Sequence, residues 1–173
     1  MKIYLALILL GLNLFIYAQD TLEFTDLYGD YLEQIPPGDT PVVFAPSIVS
    51  TEKHEHSSPA FSRDGQEIYW SVIHISNDSV YQHIYCTKRI KNRWTIPSLV
   101  SFSNHNYYEG GPVISADNQK LYIYRCGPVP SDGDAEGLQI LKFKRHGNQW
   151  GNPEVIMEGG FFTITQNGNI YYK

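Results

Sequence analysis

The densest set of potential ligands in this chain is His54-Glu55-His56. On an extended segment alternate residues point the same way, so His54 and His56 share one side and could occupy two positions on a metal ion. A metal site needs three or four donors, and the spacing supplies no third. The remaining histidines, His74, His83, His105 and His146, are scattered along the chain. Hydrogen bonding at the mouth of a channel is therefore the expected role of the pair. Glu55 and Glu109 sit near the starts of two similar segments. Carboxylates projecting from two such segments into one channel could act as acid and base on a sugar; the plainer role is to line the channel. His54, Glu55, His56 and Glu109 are thus the ligand-binding candidates.

A second candidate is Asp132-Gly133-Asp134-Ala135-Glu136-Gly137. Acids at alternate positions with glycine at the sixth match the first half of a calcium loop. The twelfth position is Phe143 rather than glutamate, which excludes an EF-hand. Asp132, Asp134 and Glu136 remain as ligands for a looser calcium site, the only cofactor the sequence suggests; the alternative is a solvated acidic loop. Catalytic sets are missing. The chain holds no Gly-x-Ser-x-Gly elbow, no His-Glu-x-x-His and no phosphate loop. No catalytic residue is assigned.

The elements that must position these groups are written as a repeat. His56 to Trp70 reads HSSPAFSRDGQEIYW, and Glu109 to Ile123 reads EGGPVISADNQKLYI. A fainter copy runs from Gly160 to Tyr172. The turn residues Asp64, Asp117 and Asn167 lie 53 and 50 residues apart, a period in the range of a propeller blade. Each copy predicts four strands. In the first unit, about 57–100, a strand ends at Phe61, and Ser62-Arg63-Asp64-Gly65 turns the chain. Asp-Gly predicts a tight turn with both central residues at positive φ. Glu67–Ile73, Tyr81–Arg89 and Trp94–Val100 follow as strands. In the second unit, about 111–156, the strands are Pro112–Ile114, Lys120–Arg125, Leu138–Lys144 and Trp150–Ile156. Trp-x-x-Pro recurs in both last strands, and three extra residues are expected in the loop around Ser131–Gly137. A third unit begins at 160–173. The expected fold is all-β, a partial β-propeller of about two and a half four-stranded antiparallel blades. Trp70, Trp94 and Trp150 are expected to pack between sheets.

Residues 19–50 form a leader. Asp20–Ile35 predicts a short helix or an extended stretch, ended by Pro36-Pro37-Gly38, and Pro41–Ser50 predicts a first strand. Residues 1–18 have the layout of a signal peptide: Met1-Lys2, an apolar run from Ile3 to Tyr17, and Ala18-Gln19 as the cleavage point. The apolar run is short of the roughly 20 residues a spanning helix needs. A periplasmic or secreted protein without a stable membrane span is expected. The chain carries 13 basic and 18 acidic side chains, a net charge of −5, which disfavours nucleic acid. Cys86 and Cys126 fall in different units; two buried thiols are the expectation and a disulfide the alternative.

The first copy, Pro59-Ala60-Phe61-Ser62-Arg63-Asp64-Gly65 with its aliphatic-aromatic strand, resembles the WD40-like, TolB-type repeat often called PD40. The lead-in Pro36-Pro37-Gly38-Asp39-Thr40-Pro41 with Phe44-Ala45-Pro46 is similar to that of exported bacterial members. The resemblance covers about residues 36–173 and implies a propeller of six or seven blades, used as an enzyme's propeller domain or as a binding module. The family's third strand often opens with Asp; here His83 and Gln139 hold that place, so no role of that Asp carries over. The Ser-x-Asp-x-Gly-x-x-Trp box of sialidase propellers is broken because Gly65 directly follows Asp64. The expected function is an exported, non-enzymatic binding scaffold. Its ring would be completed by a protein partner, by oligomerisation or by a longer parent chain, and its ligand is a protein or a glycan. The alternative is a glycan-active hydrolase.

Overall fold

The computed structural model describes residues 26–75, 77–103, 105–130 and 133–172. The expected signal peptide, residues 19–25 of the leader and Asp132 lie outside the described residues. The strands are β1 (His54–Phe61), β2 (Glu67–Ile75), β3 (Ser79–Ile90), β4 (Arg93–Trp94), β5 (Ser98–Leu99), β6 (Tyr108–Ile114), β7 (Lys120–Cys126), β8 (Val129–Pro130), β9 (Gln139–His146), β10 (Gln149–Trp150), β11 (Glu154–Glu158), β12 (Phe162–Ile164) and β13 (Ile170–Tyr172). The described chain is all-β apart from one turn of 3-10 helix at Asp30–Glu33. No helix among the described residues is long and apolar enough to cross a membrane.

The two full copies fold alike. β1, β2 and β3 pair antiparallel in order, as do β6, β7 and β9. The last strand of each copy is split. β4 and β5 both pair with β3, while β10 and β11 both pair with β9. Pro97 and Pro153 fall in the gaps, where a missing N–H interrupts the ladder. β8 arises from the enlarged loop of the second copy and crosses back to pair with β3 at Ser79 and Val80. A single parallel bridge, Gln82 with Tyr108, joins the copies into one mixed 11-stranded sheet, which is open rather than closed. β12 and β13 form a separate hairpin.

The repeated turn is the same in all three copies. Gly65 N, Asn118 N and Gly168 N donate to the carbonyls of Ser62, Ser115 and Thr165 at 2.9, 2.8 and 2.9 Å. Only the last turn residue has positive φ: 65° at Gly65, 57° at Asn118 and 84° at Gly168. The turn is thus a type I turn followed by one left-handed residue, not the doubly left-handed turn that Asp-Gly predicted. Five residues separate the strands instead of two, and Ser62 Oγ bonds across the longer loop. It accepts from Glu67 N at 2.9 Å, as Ser115 Oγ does from Lys120 N at 2.9 Å. Asn118 replaces glycine for a reason: it tolerates positive φ, and its Oδ1 accepts from Arg63 N of the neighbouring copy at 2.9 Å.

Two hydrophobic clusters follow from strand alternation. Tyr69, Ile84 and Cys86 on one face of β2 and β3 meet Leu121, Ile123, Leu141 and Phe143 on one face of β7 and β9. On the opposite face, Ile68, Trp70 and Val72 pack against the leader's Leu32, Ala45 and Val49, with Trp94. The leader departs from expectation. Pro41–Ser50 is not a strand; Ala45 O accepts from the amides of Ile48, Val49 and Ser50 in a tight turn. Prolines at 41 and 46 remove two ladder donors, and the turn buries Ala45 and Val49 in the cluster with Ile68, Trp70 and Val72. The Asp30–Glu33 turn is left-handed at Tyr31, Leu32 and Glu33. It is tied down by Trp94, whose Nε1 donates to Gly29 O at 2.8 Å. Cys86 and Cys126 are free, buried thiols.

Candidate functional site

The starts of β1 and β6 hold the ligand-binding candidates. His54 and His56 are exposed and one residue apart on β1, so they share a side as expected. Glu55, on the other side, is half-buried and accepts from Thr51 Oγ1. Behind His56 lies a buried polar row. Gln82 Nε2 donates to Ser71 Oγ at 2.6 Å and lies 3.5 Å from His56 Nδ1, and Tyr124 Oη donates to Gln82 Oε1 at 3.4 Å. Gln82 and Ser71 are both fully buried, and this row satisfies their polar atoms.

Glu109 is placed differently. Its exposure is 0%. Arg125 Nε donates to its Oε1 at 2.7 Å, and Ser103 Oγ donates to its Oε2. Arg125 in turn reaches Phe102 O at 3.2 Å and lies 4.6 Å from the Tyr107 ring centre. Burial pushes the Glu109 carboxyl above its usual range, and Ser103 and Arg125 offset this only in part. A carboxyl closed in this way cannot touch a substrate. The paired acid–base arrangement with Glu55 is not assembled in this conformation.

Glu67, at the other end of β2, is the second buried acid. Arg145 of β9 grips both its oxygens, Lys88 Nζ lies 3.0 Å from Oε1, and Tyr69 Oη donates to Oε2 at 3.2 Å. Burial works to raise its pKa, but Arg145 and Lys88 outweigh burial and hold it below the ordinary value. This seam floors a polar cleft of about 800 Å³ lined by Asp64, Glu67, Lys88, Asp117, Asn118 and Arg145. Sequence inspection missed it, because Glu67 and Arg145 belong to different copies 78 residues apart.

Asp134 and Glu136 are solvent-exposed in the loop after β8. No three His, Cys, Asp or Glu side chains among the described residues are arranged to hold a metal ion. Sequence spacing also missed a convergence of histidines. His74 of β2 and His83 of β3 are diagonal neighbours in the register, with ring centres 5.0 Å apart. His105, from the loop before β6, brings its ring centre to 4.9 Å from His83 and its Nδ1 to 3.2 Å from His83 Nε2. The hairpin register alone could have paired His74 with His83; nothing local points to His105. Burial is the main influence holding His83 neutral, with a pKa pushed down to about 4, and His74 is lowered for the same reason.

No family model, no curated protein and no solved structure matches this chain.

Proposed function

We propose that the chain is an exported, non-enzymatic binding scaffold built from WD40-like propeller repeats. The observation that carries this reading is the three-fold recurrence of one turn, Ser/Thr-x-Asp/Asn-Gly/Asn, with one face of each of the first two copies sharing one core. Sheets that bury one face on the next copy are the building principle of a propeller. Side-chain chemistry supports a scaffold over a hydrolase. Glu67 and Glu109 are each buried against an arginine, and the exposed ligand-binding candidates on β1 are two histidines.

Completion of the ring by a neighbouring sheet is part of the proposal. Phe161, Tyr171 and Tyr172 on and beside the terminal hairpin are 69, 62 and 60% exposed. Large rings in that setting favour a covering surface from a partner or from further repeats. The test has two arms. A glycan panel is assayed for binding and for released product; binding or no contact without turnover is expected, and turnover abolished by Glu55→Gln overturns the reading in favour of the hydrolase. Light scattering over a concentration series should show association that Phe161→Ser/Tyr172→Ser weakens. A monomer at every concentration, indifferent to that change, removes the ring-completion element.

A further inference from the structure

We propose that His83 and His105, with His74 as third donor, form a binding site for a divalent transition metal of the imidazole-preferring class, zinc above all. Three observations converge. The first is the 3.2 Å separation of His83 Nε2 and His105 Nδ1. Two nitrogens bound at 2.0–2.1 Å to one tetrahedral zinc lie about 3.3 Å apart. The second is ring spacing. Two imidazoles on one such ion have centres about 5 Å apart by the same geometry, and the observed values are 4.9 and 5.0 Å. The third is the presence of an unused donor: His74 Nε2 is buried and has no hydrogen-bond partner.

A hydrogen bond between His83 and His105 accounts for the contact between those two rings but leaves the buried, unpartnered His74 Nε2 unexplained. Buried imidazole nitrogens without partners are rare and call for a cause. The present rotamers do not aim all three rings at one point, so the His74 ring must turn to complete the site. His105 is exposed and gives an entry path, while Tyr81 and Tyr85 flank the inner rings. Among the described residues no carboxylate joins the cluster; its charged neighbour is Lys53, acting on His74. Neutral nitrogen donors without oxygen ligands favour zinc, copper or nickel over calcium or magnesium.

The test uses the full-length product without a histidine tag, stripped with EDTA and titrated with zinc chloride and with nickel chloride by calorimetry. One ion per chain and an upward melting shift are expected. His105→Ala, at an exposed loop position, should weaken binding at least about tenfold and abolish the shift, as should His74→Gln. The His54→Ala/His56→Ala chain should bind as wild type. Absence of saturable binding overturns the proposal, as does binding that survives His105→Ala or is lost only in the His54/His56 variant. If His105→Ala no longer melts cooperatively, cobalt(II) added to the wild type decides: tetrahedral visible bands support the site, and their absence overturns it.

Discussion

Removing the Arg145 side chain should be among the most damaging changes on the seam between the two full copies. Its guanidinium holds both oxygens of Glu67, donates from Nε to Asn118 O at 2.7 Å, and lies 4.1 Å from the Trp150 ring centre. The two charged side chains are only 13 and 12% exposed. Breaking a buried pair from one side costs about 3–5 kcal/mol, and the lost cation–π contact adds about 0.5–1 kcal/mol. Lys88 stays 3.0 Å from Glu67 and softens the loss, so Arg145→Ala should cost about 3 kcal/mol. In a chain of this size that lowers the melting temperature by about 6–12 °C. Arg93→Ala is the comparison. Its pair with Asp26 has both partners about half exposed, and its loss should cost at most about 1 kcal/mol. Urea unfolding followed by tryptophan fluorescence separates the two, through midpoint shifts at constant slope. Glu67→Gln/Arg145→Met should recover part of the loss, because a neutral packed pair leaves no stranded charge. The reasoning fails if Arg145→Ala shifts the midpoint no further than Arg93→Ala, or if the double variant loses the sum of its singles.

Further outcomes follow from single sites. Glu67 has a folded pKa below its unfolded value of 4.5, so its stabilisation is complete above about pH 4.5 and fades as pH falls through the depressed value; Glu67→Gln should flatten the acid limb of a stability–pH curve measured in urea. Gly110→Ala should destabilise by about 2–3 kcal/mol, because an added Cβ would overlap the Tyr124 ring and the Gln82 amide, and Tyr124→Leu should relieve part of that in thermal melts. Asn118→Gly keeps the left-handed turn but removes the acceptor for Arg63 N, a loss of about 1 kcal/mol; Asn118→Asp should be nearly neutral in the same assay. Cys86 and Cys126 are buried and unpaired, so dithiothreitol should leave the melting temperature unchanged and a thiol reagent should react only on unfolding.

Most of the strand plan was legible in the residues. The repeated Ser-x-Asp turn and the alternation after it placed β2, β3, β7 and β9 within a few residues of their observed bounds, because hairpin register depends on local turn chemistry and on a two-residue period. The turn's type was not legible: Asp64-Gly65 fits a two-residue loop equally well, and only the Ser62 hydroxyl bonding to Glu67 N selects the longer one. Pro41–Ser50 carried a strand's composition, but two prolines interrupt it and a turn centred on Ala45 buries its apolar side chains against β2.

The candidate site divides along the same line. That His54 and His56 share a side was settled by β-strand geometry alone. Whether Glu109 faces solvent or Arg125 was decided by how β6 packs on its neighbours, and the answer is Arg125 with no exposure. His74, His83 and His105 look unrelated in the sequence. The β2–β3 register and the loop before β6 bring them together. Local periodicity determines which residues share a face; which face meets which partner depends on contacts between residues far apart in the chain, and no short-range pattern encodes them.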